Sequence, residues 1–124
     1  MITYPSDTEV LLNHSTYFNC STSILNEQIH WYHFPAGEDQ LNYVYYKGQF
    51  NANYADRYSI QVNIEAEEYN LNIRLVQPGD AGRYMCQDDG GLGGQSSAEL
   101  IVLGRWNIRI CLLKSLVYRG VHPL

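Results

Sequence analysis

The sequence lacks the residue groupings on which catalytic and metal sites depend. It has three cysteines and four histidines in 124 residues, and no histidine is paired with a carboxylate at the spacing of a catalytic motif. Zinc sites need clustered Cys and His ligands, which this sequence does not have. The glycine-rich run at 90–94 is not followed by the Lys and Ser or Thr of a phosphate-binding loop. We therefore expect a binding module without cofactor or metal, and not an enzyme.

Basic residues are scarce over most of the chain. All 13 acidic residues lie at or before Glu99, and the four basic residues in that stretch leave it with a net charge of −9. An acidic surface repels phosphate backbones, which argues against nucleic acid as a partner. The sign reverses at the end of the chain, which carries a charge of +4 from Gly104 onward and no acidic residue.

Helix signals are few as well. The chain is divided into short apolar runs separated by Asn, Gly, Pro and Asp, which is typical of an all-β protein with short strands. Its length is enough for one domain with its own core. We predict strands at 2–4, 9–12, 15–21, 28–34, 41–46, 50–54, 58–64, 69–76, 82–87 and 98–103, with turns at 35–39, 47–48 and 77–80.

Cys20, Trp31 and the segment from Asp80 to Cys86 stand at a spacing that resembles the variable-type domains of the immunoglobulin superfamily. Trp31 follows Cys20 by 11 positions, and Tyr84 precedes Cys86 by two. The resemblance implies an all-β fold, a two-sheet antiparallel V-type β-sandwich with Greek-key topology. It also implies a disulfide bond between Cys20 and Cys86, packed on a core that includes Trp31, Tyr84, Leu71 and Ile73. Because disulfides persist in oxidising compartments, we expect the domain to be extracellular, either secreted or part of a cell-surface protein.

The distance from Trp31 to Arg57 indicates the variable subtype. The 25 residues between them leave room for the two additional strands that only variable-type domains carry. The resemblance further implies a salt bridge between Arg57 and Asp80. Two features depart from antigen receptors: Phe34 stands where that family has a Gln that pairs across a domain interface, and the run at 90–94 lacks the aromatic residue that opens the family's last strand.

Aromatic residues around the predicted turn at 47–48 are the candidate ligand contacts. Buried aromatic side chains dominate the energetics of interfaces, and eleven tyrosines are many for this length. The glycine-rich loop after residue 87 would add adaptable polar contacts, because ordering glycines on binding is costly in entropy. The predicted ligand-binding residues are Tyr45, Tyr46, Phe50, Tyr54, Asp88, Asp89 and Leu92. Some of these tyrosines must face the core, and the sequence leaves open which.

Strand alternation predicts a second surface on the neighbouring strands. If Trp31 and Cys86 point inward, then Tyr32, Phe34 and Met85 point outward. Exposed apolar patches often mark interfaces. These three residues therefore predict a face for a weak homodimer, or for pairing with another immunoglobulin domain; the alternative is that the end of the chain covers them.

Two sequons predict N-linked glycosylation, at Asn13 and at Asn19. Asn13 falls in a predicted turn between two strands, which makes it accessible. Asn19 precedes a cysteine on the outward side of a strand, and we expect lower occupancy there.

Residues 104–124 form a separate segment after the predicted domain at 1–103. The segment is apolar and basic, but too short and too charged to span a bilayer. It is a membrane-surface segment, an element that covers an edge of the sandwich, or a non-native extension; the last is slightly favoured because an immunoglobulin domain does not require it. Cys111 is the odd cysteine, free or intermolecular. No apolar run follows Met1, so we expect a mature domain whose membrane attachment, if it has one, comes from an anchor outside this sequence.

The leading functional hypothesis is extracellular recognition by an immune-type receptor, which binds a protein or glycan ligand through loops or a sheet face. Homophilic cell adhesion is the first alternative and a structural spacer without a ligand is the second. Rigid aromatics and long loops favour recognition, an apolar sheet face favours adhesion, and a polar face without a partner favours the spacer.

Overall fold

The chain folds into short strands and one turn of 3₁₀ helix. The computed structural model describes residues 4–21, 29–63, 65–88 and 95–104, and the backbone of 117–118. The strands are β1 (Thr8–Leu11), β2 (Thr16–Phe18), β3 (Ile29–Pro35), β4 (Asn42–Tyr46), β5 (Gln49–Phe50), β6 (Tyr58–Asn63), β7 (Glu68–Ile73), β8 (Gly82–Asp88), β9 (Gln95–Leu103) and β10 (Val117–Tyr118). The 3₁₀ turn spans Pro78–Asp80, and none of the helical structure in these ranges could cross a membrane.

The strands form two sheets. The larger sheet has the order β1-β9-β8-β3-β4-β5, with β10 also paired to β9, and the smaller has the order β2-β7-β6. The chain passes between the sheets after β1, β2, β5 and β7, which gives the predicted Greek-key sandwich. One pairing is not antiparallel as predicted, because β1 runs parallel to β9 at the sheet edge.

The core between the sheets is built on the two cysteines and Trp31. A disulfide joins Cys20, just after β2, to Cys86 in β8 and so links the sheets. The ring of Phe18 lies 6.2 Å from that of Trp31 and 5.2 Å from that of Tyr84, measured between centroids. The Trp31 indole N–H donates to the Tyr69 carbonyl at 2.9 Å. The four residues predicted for the core, Trp31, Tyr84, Leu71 and Ile73, are all buried.

The corner before β8 is held by Asp80. Its carboxylate accepts hydrogen bonds from Nη1 and Nη2 of Arg57, from the Tyr58 hydroxyl at 2.6 Å and from the Gln77 N–H at 2.7 Å. The Tyr84 hydroxyl donates to the Asp80 carbonyl. Burial raises the pKa of both the Tyr58 and Tyr84 hydroxyls. Arg57 and Asp80 therefore form an ion pair inside a larger network, in which the loss of one partner would leave the other polar groups without a hydrogen bond.

Several strand boundaries differ from the sequence prediction. The predicted strand at 50–54 is reduced to β5, and the chain turns from Ala52 to Arg57. β8 extends to Asp88, so that this residue belongs to a strand and not to the loop. The Ile2–Tyr4 prediction lies partly outside the described residues, and Tyr4 is not in a strand. The backbone of β10 pairs with β9 opposite Leu103 and Val102, whereas the rest of 105–124, with Cys111, lies outside the described residues.

Candidate functional site

The outward face of the larger sheet presents the exposed aromatic residues of β4. Trp31 and His33 in β3 point into the sandwich, so that Tyr32 between them points outward. Tyr43 pairs opposite Tyr32, and Val44 is an extra residue before Tyr45 pairs opposite Trp31. This bulge leaves Tyr43 and Tyr46 exposed, at 46% and 42%, while Val44 between them is buried.

Tyr32, Tyr43 and Tyr46 form a connected group, here called the tyrosine cluster. The ring of Tyr46 lies 6.3 Å from each of the other two rings, measured between centroids. Beneath it, the imidazole of His30 lies 4.5 Å away. These contacts restrict the Tyr46 ring before any ligand arrives, which reduces the entropy lost on binding.

A two-residue turn fixes the end of the cluster. Lys47 and Gly48 both have positive φ, 50° and 82°, as required in the hairpin turn that matches the twist of its strands. The Lys47 N–H donates to Nδ1 of His30 at 3.1 Å, and the Lys47 ammonium lies 5.7 Å from the centroid of the Tyr46 ring. The turn therefore holds the Tyr46 ring in place through its two neighbours, the His30 imidazole and the Lys47 ammonium.

Of the residues predicted for a dimer face, Tyr32 belongs to the tyrosine cluster, and Phe34 and Met85 lie beside it. Tyr32, Phe34 and Met85 are half-buried rather than fully exposed. The guanidinium of Arg83 lies 4.4 Å from the centroid of the Phe34 ring and covers part of it. The exposed aromatic area is thus centred on β4, one strand away from the predicted centre, and pairing through this face remains a prediction.

Three of the four aromatic residues predicted to bind ligand pack against the core. The rings of Tyr45 and Phe50 lie 5.0 Å apart and cover the core between the sheets. The Tyr54 hydroxyl donates to Nδ1 of His33 at 2.8 Å and accepts from the Asn42 amide at 3.1 Å. This packing leaves Tyr45, Phe50 and Tyr54 half-buried and Tyr46 exposed, and ligand contact by any of the four stays a prediction.

The predicted acidic loop contacts also change. Asp88 follows Cys86 by two residues in β8, so its side chain points inward, and it is buried opposite Ile29. Neither carboxylate oxygen of Asp88 has a hydrogen-bond partner in the part of the chain that the structure describes. Its burial argues against the direct ligand contact predicted for it. Asp89 and Leu92 lie outside the described residues.

The two sequon asparagines are both exposed. Asn13 lies in the turn after β1 with φ of 69°, and its side-chain carbonyl accepts a hydrogen bond from the Gln77 amide at 2.8 Å. Asn19 lies just beyond β2, on the outward side of the smaller sheet. Glycosylation of either residue stays a prediction.

An inter-sheet disulfide beside a buried Trp, a tyrosine corner and a parallel first strand together define a known architecture. The family model of the immunoglobulin V-set domain matches residues 3–103. The chain belongs to the immunoglobulin V-set family. The resemblance inferred from Cys20, Trp31 and the segment before Cys86 is therefore confirmed. No curated protein is similar enough to the sequence to count as a match.

V-set domains are typically binding domains that mediate protein interactions, including interactions with other immunoglobulin domains. In this V-set domain, sequence reasoning missed Tyr43. The available signal was its place in a predicted strand beside the one that holds Tyr32, because outward residues of paired strands lie next to each other. The sequence alone could not assign the pairing of Tyr43 with Tyr32, because this pairing depends on the extra residue in β4.

Proposed function

We propose that this V-set domain recognises a protein ligand outside the cell, as the binding domain of an immune-type receptor, through the tyrosine cluster. The observation that carries the proposal is the exposure of Tyr43 and Tyr46 side by side on one sheet face. Tyrosine combines a large apolar ring with a hydroxyl and has few rotatable bonds, so it contributes contact area at low entropic cost. The Cys20–Cys86 disulfide supports the extracellular location.

A protein is the better ligand because the tyrosine cluster lies on a sheet rather than in a cleft. Tyr32 and Tyr43 pair across two strands, and Tyr46 continues the row along β4. Half-buried Phe34 and Met85 extend the apolar area on the same sheet, and Arg83 adds a charge beside it. Aromatic residues and Arg surrounded by polar residues are the composition of protein interfaces.

The experiment is staining of a panel of intact cells with a labelled tetramer of the domain. We expect a Tyr43→Ser/Tyr46→Ser double variant to lose most of the staining, because a hot-spot tyrosine contributes about 2 kcal/mol or more. Tyr17→Ser is the matched control, since Tyr17 is even more exposed but lies on the smaller sheet. Equal staining by the parent and the double variant would contradict the proposal, as would a loss caused by Tyr17→Ser alone.

Homophilic adhesion is a second candidate, favoured by the half-buried apolar residues next to the tyrosine cluster. Two copies that met through this face would cover Phe34 and Met85 together with the exposed tyrosines. This candidate requires the domain to associate with itself, whereas recognition of a different protein does not.

A further inference from the structure

Asn19 lines a groove between the segment 4–8 and strand β2 of the smaller sheet. Phe18 and Cys20 point into the core, so Asn19 and Tyr17 point outward from the same strand segment. Residues two apart on a strand are about 7 Å apart along it. Within the described ranges the Asn19 side chain makes no hydrogen bond, and its amide is open to solvent.

The groove has a volume of about 250 Å³, and its lining includes two exposed aromatic side chains, Tyr4 and Tyr17. Tyr17 and Tyr4 are exposed at 60% and 58%, the highest values among the large apolar side chains that the structure describes. Ser6, Thr8 and Thr16 add hydroxyl groups to the lining. Aromatic rings beside hydroxyl groups suit a sugar, which has one apolar face of C–H groups and a rim of hydroxyls.

We propose that Asn19 carries an N-linked glycan whose first N-acetylglucosamine packs against the ring of Tyr17 in this groove. The donor is a lipid-linked diphospho-oligosaccharide of the secretory pathway. The Asn19 side-chain nitrogen forms a bond to C1 of the sugar and loses one proton, and the C1–O bond to the lipid diphosphate breaks. The modification requires the sequon Asn19-Cys20-Ser21, which the chain supplies.

Burial of the rest of the sequon in the folded domain does not oppose this proposal. Ser21 is buried and Cys20 is in the disulfide. The transfer takes place on the extended chain before these residues are enclosed, so the folded state has only to accommodate the product. It does so because Asn19 is exposed at the edge of an open groove.

The surroundings of Asn19 differ from those of the other sequon. The Asn13 side chain is held against Gln77 in a tight turn, whereas Asn19 has an aromatic ring on its own strand face. The other two strands of this sheet present outward the uncharged polar residues Ser59, Gln61, Asn70 and Asn72, and one acidic residue, Glu68. A glycan would lie across this amide-rich sheet and leave the larger sheet open to a protein partner.

The test uses the full chain, secreted from animal cells behind an added leader, with glycan occupancy read by peptide mapping. The sequence alone predicts lower occupancy at Asn19, but its exposed position beside the groove leads us to expect a glycan there in most molecules. Asn19→Gln should remove that glycan. We also expect the acetyl methyl protons of the first sugar to be shifted upfield in the NMR spectrum, because they lie over an aromatic ring. Tyr17→Ser should abolish this shift, whereas Tyr43→Ser, on the other sheet, should preserve it.

An unmodified Asn19 in the secreted protein would overturn the proposal. So would a sugar whose proton shifts are the same in the parent and in Tyr17→Ser. The glycan proposal rests on the extracellular location in the proposed function, but a failure of the glycan proposal can be distinguished from a failure of the proposed recognition. Asn19→Gln leaves the tyrosine cluster unchanged, so cell staining tests recognition independently of the glycan.

Discussion

His33 shows how much a single buried side chain depends on its neighbours. Its ring stacks on Tyr84 at 4.2 Å with an interplanar angle of 7°, and its Nε2 lies 3.0 Å from the Ala81 carbonyl. Since a carbonyl can only accept, Nε2 carries the proton and Nδ1 accepts from the Tyr54 hydroxyl. A second proton on Nδ1 would reverse the bond to Tyr54, whose hydroxyl could then only accept, and it would bring a charge into the buried site. The folded domain therefore favours the neutral imidazole.

This arrangement predicts that stability falls in mild acid. Burial lowers the pKa of His33, and this outweighs the opposing effects of the Ala81 carbonyl and the Asp80 charge. The unfolded chain therefore binds the proton more readily. The contribution of His33 is complete above the unfolded pKa of about 6.5 and is lost as the pH falls below it, until the native pKa is reached. Thermal unfolding between pH 7.5 and 5 should show a smaller pH dependence in His33→Gln than in the parent.

The control is His14→Gln, which makes the same substitution at an exposed position outside the core. If the parent and His33→Gln lost the same amount of stability over this range, another group would be responsible. The Gln side chain can donate to Ala81 and accept from Tyr54, so the substitution preserves the neutral hydrogen-bond pattern.

At the scale of elements, the segment after β5 explains why the strand prediction for 50–54 was wrong. Asn51 donates from its side-chain amide to the Tyr43 carbonyl at 2.9 Å and accepts from the Asn53 N–H at 3.0 Å. These local bonds give the backbone an alternative to strand pairing, and the chain turns. The alternation of apolar residues with Asn over 50–54 predicted a strand and not this turn, although Asn is a common turn residue.

Asn51→Ala should therefore loosen β4 at the tyrosine cluster. Two hydrogen bonds are lost, and because both are at the surface we expect a decrease in unfolding free energy of about 1 kcal/mol. Urea unfolding measures the change. Asn53→Ala is the matched control, since Asn53 takes part through its backbone N–H and keeps that bond when its side chain is shortened. An equal effect of both substitutions would show that the Asn51 side chain does not hold the turn.

The sequence predicts more of the fold than of the candidate binding surface, and the reason is physical. Every member of this architecture has to fill the same interior between two sheets. That interior contains Cys20, Trp31 and Tyr84, so their spacing alone predicts the two sheets. The choice between Tyr45 and Tyr46 depends on a single extra residue in β4. A shift of one residue moves a side chain to the other face, and no local pattern marks where the extra residue lies.

At the scale of the whole molecule, the two sheets expose different chemistry, and this predicts how copies would associate. The larger sheet presents the tyrosine cluster, Phe34 and Met85, whereas the smaller sheet presents amides and hydroxyls around Tyr17. We expect a weak homodimer through the larger sheet, measured by sedimentation over a wide concentration range. Phe34→Lys should weaken it at least tenfold, or about 1.4 kcal/mol, because a second cation beside Arg83 would have to lose water in the interface.

Tyr17→Lys adds the same charge on the other sheet and should leave the dimer intact. A parent that stays monomeric at every concentration would exclude homophilic pairing, and a dimer lost only in Tyr17→Lys would place the contact on the smaller sheet.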